Sequence, residues 1–171
     1  MSEKMDYCSE CGARQREESS LVLGKDLRVL KYRNGEKIPY ALTSEEWLEF
    51  GENKIGAYSC ITDEEEKLFY LYNWYAVNDA RGLAPGGWRI PTHEEWFDIE
   101  RPLRENASYA GHRDGYHSGY YGVGYHSYFW SSTESKHNIA YGRSLYCYNR
   151  GVRQTYLDKR FGCSVYCVKE K

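Results

Sequence analysis

The C-terminal third of this chain carries far more tyrosine than the core of a domain can use. Eleven of the 18 tyrosines lie between Tyr109 and Tyr166, interleaved with Gly, Ser, His, Arg and Asn, while aliphatic residues are scarce there. A buried phenol needs a hydrogen-bond partner, so cores favour Leu, Ile and Val. Tyrosine among small polar residues is typical of recognition surfaces, because it offers a large contact area with few rotatable bonds. The sequence therefore predicts a binding module whose contact surface lies in this segment.

Length, charge and hydropathy restrict the class of protein. A chain of 171 residues with a net charge of −2 is typical of one domain, or of one domain with an appendage. General nucleic-acid binding requires a basic surface, so no nucleic-acid partner is expected. No run of about 18 apolar residues is present, so no membrane span is expected. The N-terminus lacks the apolar stretch of a signal peptide, which favours a cytoplasmic or phage-particle location.

The first 20 residues differ from the rest of the chain because they are polar, charged and without periodicity. We expect a flexible leader at residues 1–20, followed by one folded domain at residues 21–171. The leader contains Cys8 and Cys11 in a C-x-x-C pattern, which is half of a zinc-ribbon ligand set. Zinc completed by distant ligands or by another subunit, a redox pair and inert thiols are the alternatives. No metal or cofactor is assigned.

Local patterns predict an α+β fold with two helices beside a small twisted antiparallel sheet. Two capping boxes, Thr43 with Glu46 and the Thr92–Trp96 segment, predict helix starts. Alternating and apolar runs predict strands at residues 27–32, 37–41, 56–60, 128–132, 140–148, 151–156 and 163–168. The last three suit an antiparallel meander. Residues 105–127, rich in Gly, Tyr, His and Ser without a period, predict a long functional loop.

No pattern of catalytic residues is present. The chain has no G-x-S-x-G, H-E-x-x-H, P-loop or dinucleotide-binding motif. The spacing of His112, His117, His126 and His137 fits no compact metal motif. The sequence therefore predicts that the protein is not an enzyme.

Several strings, in order along the chain, carry a family resemblance. They are LYNWYAV at residues 71–77, GLAPGGWRIPT at 82–92, FWSSTE at 129–134 and GCSVYCVK at 162–169. Together they resemble the Fibrobacter succinogenes major paralogous domain, over about residues 21–171. This resemblance implies a C-type-lectin-like scaffold related to formylglycine-generating enzymes, with Trp74, Trp88, Trp96 and Trp130 in structural roles.

A subset of this family resembles the variable proteins of diversity-generating retroelements. There, error-prone copying of template adenines rewrites a C-terminal region, and an AAC codon can become Tyr, Asn, Asp, Ser, Arg, Gly, Phe or Cys but not Lys, Gln or Glu. The resemblance implies a variable region at about residues 116–166, where such residues abound. Tyr166 replaces the family's usual Arg, which fits a rewritten position.

The predicted ligand-binding residues are the tyrosines, cations and polar residues of this region. They are Tyr116, Tyr120, Tyr125, Tyr141, Tyr146, Tyr148, Asn149, Arg150, Arg153, Tyr156, Asp158, Arg160, Phe161 and Tyr166. The expected ligand is a protein or a surface polymer. Two other hypotheses stay open: a fixed carbohydrate- or protein-binding module of the same family, and, by fold analogy, an enzyme using Cys147, Cys163 or Cys167.

Overall fold

The structure, a computed structural model, describes residues 5–7, 14–16, 26–106, 108–149 and 151–170. The helices in these ranges are α1 (Ser44–Glu52), α2 (Trp74–Val77) and α3 (Trp96–Asn106). The strands are β1 (Met5–Tyr7), β2 (Arg14–Arg16), β3 (Tyr58–Thr62), β4 (Leu68–Tyr72), β5 (Trp88–Arg89), β6 (Ala110–Arg113), β7 (Tyr120–Val123), β8 (His126–Lys136), β9 (Ile139–Tyr146), β10 (Val152–Asp158) and β11 (Val168–Lys169). The fold is mostly β with short helices, in agreement with the predicted α+β class.

A five-stranded sheet dominates the C-terminal half, with the strand order β10-β9-β8-β6-β7. Strands β8, β9 and β10 form an antiparallel meander. The predicted meander consisted of residues 140–148, 151–156 and 163–168. The observed meander begins one strand earlier, with β8, and ends with β10, so residues 163–168 are not part of it. Instead, Cys163 forms an antiparallel bridge to Tyr72 and Ser164 a parallel bridge to Phe129, so this segment returns into the core.

The predicted long loop at residues 105–127 is wrong in its central part, which forms the hairpin β6–β7. Sequence patterns did not indicate these strands because they contain glycine, which is depleted in strands. Two predicted strands are also wrong, because residues 27–32 and 37–41 form only isolated bridges such as Lys31 with Lys37.

Both predicted capping boxes are present. The Thr43 hydroxyl accepts a hydrogen bond from the Glu46 amide at 3.1 Å, and the Glu46 carboxylate accepts one from the Thr43 amide at 3.0 Å. Thr92 and Glu95 make the same reciprocal pair. The helix that follows Thr92 starts as α3 at Trp96, after a short turn.

Buried tryptophans join the two halves of the fold. The Trp130 indole nitrogen donates to the Tyr72 carbonyl oxygen at 2.7 Å, and that of Trp74 donates to the Ser131 carbonyl oxygen at 3.0 Å. On the other face of the sheet, α3 packs Trp96 against Phe129. Trp74, Trp96 and Trp130 are therefore structural, as the resemblance implies.

The N-terminal segment is described only in part. Strands β1 and β2 pair antiparallel within the predicted leader. Cys8 and Cys11, the predicted half-site for zinc, lie outside the described residues. None of the helices in the described part of the chain has the length and apolar character needed to cross a bilayer.

Candidate functional site

Eight aromatic side chains form one connected surface cluster on the five-stranded sheet, here called the aromatic patch. Its members are His112, Tyr116, Tyr121, His126, Tyr128, Tyr146, Tyr148 and Phe161. Each ring lies 4.9 to 6.1 Å, between ring centres, from at least one other member. The patch therefore combines β6, β7, β8 and β9 with the segments that follow β6, β9 and β10.

Glycines permit the close approach on which the patch depends. Gly122 has a φ of +72°, and a Cβ there would lie 1.8 Å from the Cε1 atom of His126. Gly111 has a φ of +68°, and a Cβ there would lie 2.3 Å from the Tyr121 carbonyl oxygen. Only glycine adopts this backbone region at little cost. These two positions therefore let the β6–β7 hairpin fold tightly and seat the His126 ring against it.

Two imidazoles occupy the centre of the patch. The Nδ1 atom of His112 and the Nε2 atom of His126 are 3.0 Å apart and share a hydrogen bond. The His112 ring also stacks nearly parallel on Phe161, at 5.7 Å and 11°. Burial lowers the pKa of His112 to about 4, with a smaller contribution from His126. Burial also lowers the pKa of His126, so both imidazoles are neutral at neutral pH.

One edge of the patch is fixed by an ion pair. The Asp158 carboxylate accepts hydrogen bonds from the Nε and Nη2 atoms of Arg160 and from the Tyr116 hydroxyl at 2.8 Å. The Arg160 guanidinium lies 4.2 Å from the Tyr116 ring centre. Burial by itself raises the pKa of Asp158, but these hydrogen bonds bring it below its usual value. Asp158 and Arg160 therefore hold Tyr116 in place.

The opposite edge is the most exposed part of the patch. Tyr128 and Tyr146 bring their hydroxyl oxygens to 3.4 Å, and Tyr146 packs on Tyr148 at 5.4 Å. Tyr148 keeps 76% of its surface exposed. An exposed phenol of this kind can supply both an apolar face and a hydrogen-bonding hydroxyl to a partner.

A second set of rings lies on the other face of the sheet, because side chains five residues apart on a strand, such as Tyr141 and Tyr146, point to opposite faces. This set, here called the helix-side row, consists of Phe97, His93, Tyr141 and Tyr156. The His93 ring stacks on Tyr141 at 4.1 Å, and Tyr141 contacts Tyr156 at 5.1 Å. Phe97 of α3 extends the row from His93 and is 65% exposed.

The predicted site residues are thus divided between several places. Tyr116, Tyr146, Tyr148 and Phe161 lie in the aromatic patch, with Asp158 and Arg160 beside it, whereas Tyr141 and Tyr156 lie in the helix-side row. Tyr125, Asn149 and Arg153 are exposed. Tyr120 is turned toward β3: its hydroxyl lies 3.4 Å from the Cys60 carbonyl oxygen, and the Arg113 guanidinium lies 5.0 Å from its ring centre. Arg150 lies outside the described residues.

Tyr166 is a correction, because it is not at the surface. Its side chain is 0% exposed and packs against Trp96, with ring centres 6.0 Å apart. The segment that contains it returns into the core, as the bridge from Asp26 to Tyr166 indicates. Burial, with a smaller effect from Asp26, raises the pKa of Tyr166 to about 12. Tyr166 is therefore a packing residue, and it cannot contact a ligand without unfolding of the core.

Sequence reasoning missed His112, Tyr121, His126 and Tyr128 as members of the patch. One signal was available. His126 and Tyr128 are two residues apart on β8, and His126 pairs with Tyr146 on β9, so they share one face of the sheet. The histidine spacing was considered only as a metal motif. In the described part of the chain, no three His, Cys, Asp or Glu side chains come together as a metal site would require.

The cysteines considered for catalysis are free thiols. Cys163 and Cys167 are buried, and burial raises the pKa of Cys163 well above its usual value and that of Cys167 to about 12. Nucleophilic cysteines need the thiolate, which requires a lowered pKa. Neither buried thiol fits that role.

Comparison with known proteins identifies the family. The model of the Fibrobacter succinogenes major domain matches residues 23–108, half of the chain. The chain therefore belongs to the Fibrobacter succinogenes major domain family. No curated protein and no solved structure matches the chain. The match ends at residue 108, so every member of the aromatic patch lies beyond it.

Proposed function

We propose that the protein binds a macromolecular ligand through the aromatic patch, displayed on a C-type-lectin-like scaffold. One observation carries the proposal: eight rings, including the exposed Tyr116, Tyr121 and Tyr148, form one connected surface outside the family-matched segment. Exposed tyrosines clustered in this way are typical of interface anchors. The ligand is a protein or a surface polymer rather than a small molecule.

We further propose that this surface is diversified, as in the variable proteins of diversity-generating retroelements. The support is that this region exposes or half-exposes residue types that an AAC codon can become through copying errors at its adenines. Examples are Tyr146, Tyr148, Asn149, Arg153 and Phe161. The buried return segment at residues 162–168 is unsuited to free variation, because new side chains there would disturb the core. The proposed variable positions therefore end at about residue 161 rather than 166.

The binding proposal is tested with arrays of surface proteins and glycans, probed with the full chain. The test variant carries Tyr121→Ala, Tyr146→Ala and Tyr148→Ala. The matched control carries Phe97→Ala and Tyr156→Ala, which remove exposed rings from the opposite face. If the triple variant loses a binding signal that the wild type and the control variant both keep, the aromatic patch is supported as the binding site. Equal loss in both variants, or in neither, contradicts it.

The diversification proposal is tested by sequencing this gene and its flanks across a natural population. We expect substitutions at exposed codons up to about residue 161, matched to adenines of a nearby repeat beside a reverse-transcriptase gene. A uniform sequence without such a repeat would instead favour a fixed carbohydrate- or protein-binding module, for which stacking of the exposed tyrosine rings on sugars is suited.

A further inference from the structure

The β6–β7 hairpin has little main-chain pairing with β8, its neighbour in the five-stranded sheet. Its residue pairing to β8 consists of one parallel partner pair, Gly111 with Ser127. The Ser127 hydroxyl adds a bond from the Ala110 amide at 2.6 Å and donates to the Ser108 carbonyl oxygen at 2.7 Å. The next contact along β8 is the bond between His112 and His126. The histidine pair is therefore a side-chain link between the hairpin and β8. It acts beside Arg113 at the end of β6, which exchanges two main-chain bonds with Gly162 at 2.9 Å.

The geometry of this pair is that of a shared proton rather than of a metal chelate. The nitrogens are 3.0 Å apart and the ring centres 5.2 Å apart. Because the ring centres are about 2 Å farther apart than the two nitrogens, the rings meet head-on, so that an N–H on one ring can point at the nitrogen lone pair of the other. Two imidazoles bound to one zinc ion each place nitrogen about 2.0–2.1 Å from it, with lone pairs converging beside the contact line. A single N–H···N bond fits the observed arrangement.

The surroundings of the pair contain little charge. The described titratable groups that face it are the phenols of Tyr121 on β7, Tyr128 on β8 and Tyr146 on β9. The nearest acidic influence is the Asp114 carboxylate, which favours protonation of His112. That carboxylate already accepts bonds from the Tyr116 and His117 amides. The pair thus lacks a dedicated counter-ion.

We propose that the His112–His126 pair is an acid-sensitive latch that holds the β6–β7 hairpin on β8 and so keeps the aromatic patch assembled at neutral pH. When both imidazoles are neutral, one donates its N–H and the other accepts it. A second added proton would place two N–H groups head to head at the same contact, and even the first brings a charge into a half-buried aromatic site. Protonation therefore favours the open hairpin, in which both rings meet water.

The sign of the pH dependence follows from the lowered pKa values. In the open hairpin the imidazoles titrate near about 6.5, whereas in the closed one the pKa of His112 is about 4. The open form therefore binds more protons between these values, and the closed form loses stability as pH falls from about 6.5 toward 4. After allowance for partial solvent exposure, we expect the opening equilibrium to rise on the order of tenfold between pH 7.5 and 4.5.

The latch is tested without any ligand, by amide hydrogen exchange of residues 110–123 in the full chain at several pH values, corrected for the intrinsic rates. The wild type should lose protection in this hairpin at pH 4.5, while β9 keeps its protection. The double variant His112→Asn with His126→Gln replaces the two bonding nitrogens by amide groups that do not titrate. Its hairpin protection should be independent of pH. The control His137→Asn, at an exposed position, should behave as the wild type.

A second variant opens the latch without acid. Gly122→Ala would place a methyl group against the His126 ring, so the hairpin should exchange at pH 7.5 about as fast as the wild type at pH 4.5. Histidine NMR titration of the wild type should show both His112 and His126 titrating below about 6.5, the value of an exposed imidazole. Equal hairpin protection at both pH values in the wild type, or a pair that titrates at about 6.5, would overturn the latch.

The consequence for binding rests on the proposed function. If the patch is the binding site, a ligand found on the arrays should bind the wild type less well at pH 4.5 than at 7.5, and the double variant about equally at both. If hydrogen exchange of the hairpin depends on pH but ligand binding does not, the proposed binding site is refuted and the latch is not. Exchange and binding that both ignore pH would refute the latch.

Discussion

Tyrosine has opposite roles in the two regions of this molecule. In the family-matched region, the described tyrosines are all buried or half-buried; they are Tyr32, Tyr40, Tyr58, Tyr70, Tyr72 and Tyr75. In the region after residue 108, six are exposed; they are Tyr116, Tyr120, Tyr121, Tyr125, Tyr148 and Tyr156. The tyrosine side chain is core material where it packs among buried rings, as Tyr58 does against Tyr70 and Tyr72, and it is at the surface where the outer strands and turns of the five-stranded sheet carry it. Position relative to the core, and not residue type, separates scaffold from display.

Charge differs between the two regions as well. Residues 1–108 contain 14 Lys and Arg against 21 Asp and Glu, whereas residues 109–171 contain 9 against 4. Three cations of the second region, Arg113, Arg143 and Lys159, are buried. Arg113 donates to the carbonyl oxygens of Ala41 and Thr43, at 3.0 and 2.9 Å, and Arg143 donates to that of His93 at 2.9 Å. Buried arginines thus attach the displayed sheet to the family-matched region.

The strongest test of this contrast is the loss of a tyrosine ring from each environment. Tyr166→Ala removes a fully buried ring from beside Trp96 and should cost about 3–5 kcal/mol of unfolding free energy. Tyr148→Ala removes a ring that is 76% exposed and should change stability by about 0.5 kcal/mol or less. Denaturant unfolding at pH 7.5 measures both. A Tyr166→Ala cost as small as that of Tyr148→Ala would return Tyr166 to the surface.

The buried arginine attachment should have the next largest effect. Arg113→Ala leaves the carbonyl oxygens of Ala41 and Thr43 without this donor and removes the cation from its place 4.7 Å from the Trp47 ring centre. We expect a loss of about 3 kcal/mol in the same unfolding measurement. Arg153→Ala, which removes an exposed cation from β10, is the matched control and should be nearly neutral. Equal effects would show that the attachment is not made through Arg113.

The sequence predicted some of these features and could not predict others. The capping boxes were readable, because a helix start is encoded within four residues. The hairpin β6–β7 was not readable. Its strands depend on Gly111 and Gly122 at positive φ and on pairing with β8, which is not the next strand along the chain. The burial of Tyr166 was hidden for the same reason. Its neighbours Trp96 and Asp26 are far away along the chain.

The candidate site shows the same limit. Tyrosine abundance located the region, and Tyr116, Tyr146, Tyr148 and Phe161 are in the aromatic patch. The division of tyrosines between two faces of the sheet depends on the register of β9 with β8 and β10. The head-on contact of His112 and His126 depends on the close approach of two strands that are not consecutive hairpin partners. No local pattern encodes either feature.

A smaller chemical change, removal of a single hydroxyl, should also separate the two regions. The Tyr72 hydroxyl accepts from the Val29 amide and donates to the Val29 carbonyl oxygen, both at 2.8 Å. Tyr72→Phe therefore leaves two backbone groups unpaired and should cost about 2 kcal/mol. Tyr148→Phe, whose hydroxyl is at the exposed edge of the patch, should cost about 0.5 kcal/mol or less. A costly Tyr148→Phe, measured by denaturant unfolding, would indicate that the patch tyrosines are structural after all.

The smallest expected effect concerns the contact of the two regions at His93. Its Nδ1 atom lies 3.2 Å from the Nη1 atom of the always charged Arg143, so Nδ1 accepts the hydrogen bond and the imidazole is neutral. Burial, and then the charge of Arg143, lower the pKa of His93. Because the unfolded chain then binds the proton more readily, stability is complete above about pH 6.5 and declines as the pH falls toward the folded pKa.

The variant His93→Asn keeps an acceptor near the position of Nδ1 but does not titrate. Between pH 7.5 and 5.5 its melting temperature should fall less than that of the wild type, by about 1 °C, since the site is partly exposed. The histidine pair of the patch is present in both proteins, so its contribution cancels in this difference. His137→Asn should leave the wild-type slope unchanged. If His93→Asn follows the wild-type slope too, folding does not lower the pKa of His93, and Arg143 attaches the sheet to α3 without its help.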